Sequence, residues 1–428
     1  MQITGIITEY NPFHYGHQYQ LRKVRHHQPD SPVIAVMSGS FTQRGDAALL
    51  SKWDRANLAV LGGCDLVLEL PFVFTCRSAQ DFARGGIRLL ERLGIVNTLA
   101  FGAETTDLAT LQDCAAAIDD DSFQAELHEA IAAGASYATA LTTCTAAHTA
   151  VDAAILRQPN NILAIEYLRC LRQSSLQPLL IPRHGASYHD IRLDAPNASA
   201  TAIRQALTQA ASRCQDHPSA RLAEQLTETE WQALKNAAPA TTIIALQKLT
   251  AANLPSTERL WLPLRALLLR TSLPVLRQIH GINEGLEHRL LGQADRVDSY
   301  SELIQAATTK RYPSSRIART LLYLLLSLQG SDLRIFDETG PLYARVLAAG
   351  SQGRMLLRQI KTCASIPIIT KTSACLTTTK RREGISSLAP RERMLAYDTL
   401  ATELRQLCQP QPDHGNDFQR SPVFHHQQ

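Results

Sequence analysis

The residues best suited to chemistry stand almost at the start of the chain. His14 and His17 lie three positions apart with Gly16 between them, after the run Ile7-Thr8-Glu9-Tyr10-Asn11-Pro12-Phe13. Two imidazoles at that spacing can donate to one anion, and a glycine beside them lets a phosphate chain approach the backbone. A bare HxGH also fits a turn whose histidines are simply solvated. Position favours the first reading. Ile3, Ile6 and Ile7 mark a short buried strand, and Asn11-Pro12 ends it, because proline lacks an N–H and restricts the residue before it. Tyr19, Leu21 and Val24 then recur at helical spacing. A strand–turn–helix junction offers backbone N–H groups and the positive end of a helix dipole to an anion. A second candidate is Ser199, Thr201 and Arg204, with hydroxyls at a helix start and an arginine one turn on. Alone it reads as an ordinary N-cap followed by a solvated arginine. Beside the first motif it reads as a second phosphate clamp.

These groups need a scaffold, and the first half of the chain describes one. Pro32–Met37, Asp65–Pro71, Asn97–Gly102 and Leu179–Pro182 are nearly continuous apolar runs, separated by helical patterns that include Lys52–Leu61 and Ser78–Leu93. Such runs indicate a parallel sheet covered on both faces, a doubly wound α/β domain. Ligands in these folds sit outside the carboxyl ends of the strands. That rule gathers Thr8–His17, Ser38–Arg44 and Gly102 around one cleft. Arg44 and Lys52 read there either as contacts to phosphate or acidic substrate or as surface charges. Pro159-Asn160-Asn161 opens a helix, where one asparagine caps and the other is left to contact a base or ribose. Leu179–Pro182 exits into Arg183-His184.

Composition bounds the rest. The chain has 428 residues, 45% apolar and 19% charged, which is globular and long enough for two or three cores. A net charge of +4 is compatible with an RNA partner but too weak to argue for one alone. Nine cysteines without a CxxC pair suggest a reduced, cytoplasmic protein with no zinc site, and no metal-ligating cluster is expected. No signal-peptide pattern or membrane-spanning apolar run stands out. From about Ala211 the pattern turns helical. The expected division is therefore a nucleotide-binding α/β domain over 1–210, an all-α domain over 211–408, and a disordered Gln-, Pro- and His-rich tail over 409–428.

The paired motifs resemble those of the HIGH-type nucleotidyltransferase superfamily, whose fold is Rossmann-like. Further stretches are similar to the tRNA(Met) cytidine acetate ligase family (TmcAL). They are Gly5–His17, Val36–Gly39 with Gln43-Arg44-Gly45, Ser51-Lys52-Trp53, Asp65–Pro71, Phe82–Gly85, Phe101-Gly102, Pro159–Leu163, Ser187–Asp190 and Ser199–Arg204. The resemblance runs through most of the second half as well. It implies activation of acetate by ATP to acetyl-adenylate, with release of pyrophosphate. Transfer to the wobble cytidine of elongator tRNA(Met) would then give N4-acetylcytidine.

By the same resemblance, ATP would be contacted by the Ile7–Gln20 loop, Gly102, one or both of Asn160 and Asn161, and Arg183. Within the loop those contacts fall on Ile7, Thr8, Glu9, Tyr10, Asn11, Pro12, Phe13, His14, Gly16 and His17. His14, His17, Ser199, Thr201, Arg204 and a Mg²⁺ ion would stabilise charge on the phosphates. Tyr15 stands where the family often has asparagine. Lys310, Arg311, Arg316 and Arg319 put four positive charges around Tyr312, and in such a family they read as a phosphate-contacting patch for RNA. Pro313, Ala318 and Tyr323 depart from the family's commoner residues there. Lys371 and Lys380–Arg382 would extend the patch. Two other functions remain open: an adenylyltransferase acting on a small phosphorylated metabolite, and a catalytically silent RNA-binding protein.

Overall fold

Strand β1 (Thr4–Thr8) lies in the middle of an eight-stranded sheet in the computed structural model. The model describes residues 2–135, 137–149, 151–152, 154–183, 192–193, 198–214, 217–412 and 415–425. On one side β1 pairs in parallel with β2 (Val33–Ser38), which pairs in parallel with β3 (Leu66–Leu70). On the other side β4 (Thr98–Ala103) and then β5 (Gln177–Pro182) continue in parallel. Every residue of β2 and β3 is buried, because helices cover both faces. The four apolar runs therefore become parallel strands, and the Rossmann-like fold class holds.

The chain after 211 is helical as expected until about residue 340, and then it returns to the sheet. Strand β6 (Ala344–Ala349) pairs antiparallel with β3, and β7 (Ile368–Ile369) and β8 (Val423–Phe424) pair in parallel with β6. One sheet thus draws strands from both sides of the 210/211 division. All six residues of β6 are buried. A short Ala-rich run of that kind has no period that separates strand from helix. The described part of the expected disordered tail is ordered, with Asp417 at 0% exposure and β8 on the sheet.

Candidate active site

Two helices aim their N-termini at the carboxyl edge of this sheet. His14 caps the Tyr15–His27 helix, its Nδ1 accepting from the Gly16 N–H at 3.0 Å, while His17 Nδ1 accepts from the His14 N–H at 3.3 Å. The rings stack with centroids 3.8 Å apart. Since each Nδ1 is an acceptor, each imidazole carries its proton on Nε2 and presents it as a donor. Burial, then the nearby positive charges of Arg183 and Arg204, lowers the His14 pKa to about 3. Burial, then His14 and Arg183, holds His17 well below its ordinary value. Both imidazoles are therefore neutral hydrogen-bond donors at physiological pH.

Ser199 caps the Ala200–Ser212 helix, its Oγ accepting from the Ala202 N–H at 3.1 Å. One turn on, Arg204 donates to the Asn11 carbonyl at 2.7 Å and to Thr201 Oγ1 at 3.1 Å. It ties the two distant motifs together. The Asn11 side chain in turn accepts from the Leu49 N–H at 2.8 Å.

Between these helix ends lies a cavity of ≈ 490 Å³. Its polar wall includes His14, Gly16, His17, Ser199, Thr201, Arg204 and Arg183. Its floor is Ile7–Asn11, and Thr42, Gln43, Arg44 and Asp46 close one side. Gly102, Asn160, Phe82, Phe101 and Tyr167 also line it. Glu9 accepts from the Gln43 N–H at 2.6 Å, and desolvation lifts its carboxyl above the ordinary value against that bond and Arg204.

The two asparagines separate. Asn160 lines the cavity, bonded to Glu104 at 2.5 Å and to Arg183 at 3.2 Å. Asn161 does not line it, and its amide is consumed by the Glu104 and Thr105 N–H groups, the Ile155 carbonyl and Gln158. Pro12 and Phe13 are also turned away from the cavity, and Phe13 packs in the core behind the His17 ring. Lys52 fits neither sequence reading: it is 1% exposed and ion-paired with Glu69 and Asp417.

Of the basic patch, Lys310 and Arg311 are exposed, and Arg311 pairs with Glu284 at 2.6 Å. The Arg316 guanidinium lies 4.7 Å from the Tyr312 ring centroid. The backbone of Ala318 and Arg319 packs against Gly45, so the patch abuts the loop that walls the cavity. Farther away, Arg381 is buried against Thr399 and Glu403, so it does not extend the patch. His184 and Ser187–Asp190 lie outside the described residues. Sequence reasoning missed Arg157, Asp46 and Tyr167 in the lining. Only Arg157, just before the Pro159 helix start, carried a local signal.

A model of the HIGH nucleotidyl transferase family matches residues 1–420. The tRNA(Met) cytidine acetate ligase of Syntrophomonas wolfei is 35% identical over 99% of both chains. The chain belongs to this ligase family. Its member from Latilactobacillus sakei is 36% identical over 100% of this chain and 98% of its own. Thermotoga maritima TmcAL in its apo form superposes with a TM-score of 0.85 at 28% identity, covering 99% of this chain and 100% of its own. The same family member bound with alpha-thio ATP superposes at 0.80 and 27% identity, with the same coverage.

Proposed function

We propose that the chain is an ATP-dependent acetate–tRNA ligase that acetylates the wobble cytidine of elongator tRNA(Met). The observation that carries this reading is the near full-length likeness to ligases of that name, together with two helix N-termini facing one cavity. A carboxylate oxygen of acetate attacks the α-phosphorus of ATP, the bond to the β-phosphate oxygen breaks, and pyrophosphate leaves. No base is needed, because the nucleophile is already an anion. The Nε2–H groups of His14 and His17, the Ser199 and Thr201 helix start, Arg183 and Arg204 stabilise the phosphate charge.

A Mg²⁺ ion fits this donor set as a passenger on the phosphates, since it keeps several waters and needs one or two protein carboxylates at most. Glu9 and Asp46 line the cavity and could serve. When bound, the ion would neutralise charge on the departing pyrophosphate. In the second step the cytidine N4 amine attacks the acetyl carbon of acetyl-adenylate, AMP leaves, and the amine loses a proton.

RNA would approach over Arg44, exposed at the cavity rim, and the adjoining Lys310, Arg311, Arg316 and Arg319, with the helical stretch from 211 to about 340 helping to hold it. Purified protein given ATP, Mg²⁺, labelled acetate and tRNA(Met) transcript should acetylate the transcript. A stable AMP adduct formed without RNA would favour the metabolite adenylyltransferase instead. Among the described residues no helix is long and apolar enough to cross a membrane.

A further inference from the structure

The C-terminal segment meets one face of the Lys52–Leu61 helix at three points. Asp417 Oδ1 accepts from Lys52 Nζ at 2.8 Å, the Arg420 guanidinium lies 5.5 Å from the Trp53 ring centroid, and His425 Nε2 is 2.6 Å from Asn57 Oδ1. Asp417 also accepts from Arg345 of β6 at 2.5 Å. Glu69 of β3 pairs with both cations, accepting from Lys52 at 2.7 Å and lying 3.0 Å from Arg345, which also donates to Thr372 Oγ1 at 2.9 Å. The side chains of all four are at most 4% exposed, and their charges cancel. Two buried cations against Glu69 alone would leave an uncompensated charge in a low-dielectric interior.

The same helix carries Arg55 one turn from Lys52. Its guanidinium donates to the Glu9 carbonyl at 2.5 Å, to Ser38 Oγ at 3.2 Å and O at 3.0 Å, and to the Gly39 carbonyl. These carbonyls belong to the exits of β1 and β2, and those exits lead into the cavity floor and the Thr42–Asp46 wall. A Cβ on Gly39 would overlap the Glu69 carboxylate, so the ion network lies directly beneath the second exit.

We infer that Asp417 is a positioning residue for the cavity: the C-terminal segment holds the Lys52–Leu61 helix, and the helix, through Arg55, holds the Glu9 and Ser38–Gly39 backbone in reacting geometry. The inference rests on the adenylation reading for its kinetic readout and on the fold alone for its hydrogen-exchange readout.

The test uses the full chain with Asp417→Asn, and with Asp417→Asn combined with Lys52→Met, which restores charge balance through Arg345 and Glu69. Hydrogen–deuterium exchange should rise about tenfold at residues 8–11 and 38–44 in Asp417→Asn and stay unchanged at 200–212. In acetate-dependent ATP–pyrophosphate exchange, kcat should fall by about tenfold with KM for ATP within about threefold, because the floor moves and the phosphate wall does not. The double variant should recover most of that loss. Unchanged exchange at 8–11 and 38–44 overturns the inference, and so does a uniform rise across the sheet. If the wild-type chain shows no acetate-dependent pyrophosphate exchange, the adenylation reading fails, and the deuterium pattern alone decides the positioning role.

Discussion

Replacing Asn161 by alanine should unfold the protein more easily, whereas replacing its neighbour Asn160 should weaken ATP. Asn161 is 0% exposed and makes four hydrogen bonds, at 2.9 and 3.1 Å to the Glu104 and Thr105 N–H groups and at 3.1 and 2.7 Å to the Ile155 carbonyl and Gln158. Truncation leaves the Glu104 and Thr105 N–H groups without partners, each costing about 1–3 kcal/mol when buried, while the Ile155 carbonyl keeps the Gln158 N–H; allowing for relaxation, the loss is roughly 3–4 kcal/mol. Urea denaturation would read this as a lower midpoint with an unchanged slope. Asn160 is half-buried at the cavity and bonds to Glu104 and Arg183. Its alanine variant should lose no more than about 1 kcal/mol of stability. Its KM for ATP in pyrophosphate exchange should rise about tenfold. Unfolding of Asn161→Ala within about 1 kcal/mol of wild type, or an Asn160→Ala variant that is the less stable of the two, would refute this division of roles.

Other expectations concern charge and backbone. Arg204→Ala removes the clamp on the Asn11 carbonyl and a positive charge beside His14, so kcat/KM for adenylation should fall about 10²–10³-fold; a value near wild type would contradict its role. In histidine-labelled NMR, His14 and His17 should keep the Nε2–H tautomer from pH 8 down to 5, and a titration near the ordinary value of 6.5 would refute their neutrality. Burial, then Glu69, pushes the Asp398 carboxyl up to about 8, so it stays protonated in the fold while the unfolded chain ionises from about 3.8. Stability should therefore fall as pH rises between these values, by up to about 1.4 kcal/mol per pH unit, and Asp398→Asn should flatten that slope; equal slopes in both proteins would sink the assignment. Gly45 has φ of 96° and packs on Arg319, so Gly45→Ala should cost about 1–2 kcal/mol and raise KM for tRNA more than KM for ATP, as steady-state kinetics would show.

What could be read before folding was local. The strand–turn–helix junction around His14 and the helix cap at Ser199 both formed as read, and an apolar run ending at Gly102 or Ser38 is a parallel strand whose exit faces the cavity. The roles of Lys52 and Asp417 were illegible because they are partners 365 positions apart, brought together with Arg345 only when β6 joins β3, and that of Arg55 because its acceptors are backbone carbonyls of two strand exits. The tail's polar composition resembled a disordered segment, yet its Asp417 joins Glu69 in balancing a buried cation pair, which composition cannot show. Asn160 and Asn161 were indistinguishable in sequence. Helix geometry turns one to the cavity and the other to the Glu104–Thr105 backbone.

Labelled acetate followed into elongator tRNA(Met) reads out whether ATP drives the acetylation. Incorporation should require ATP, release one pyrophosphate per acetyl group and be abolished in His17→Ala. Incorporation that proceeds from acetyl-CoA without ATP would contradict an ATP-driven ligase.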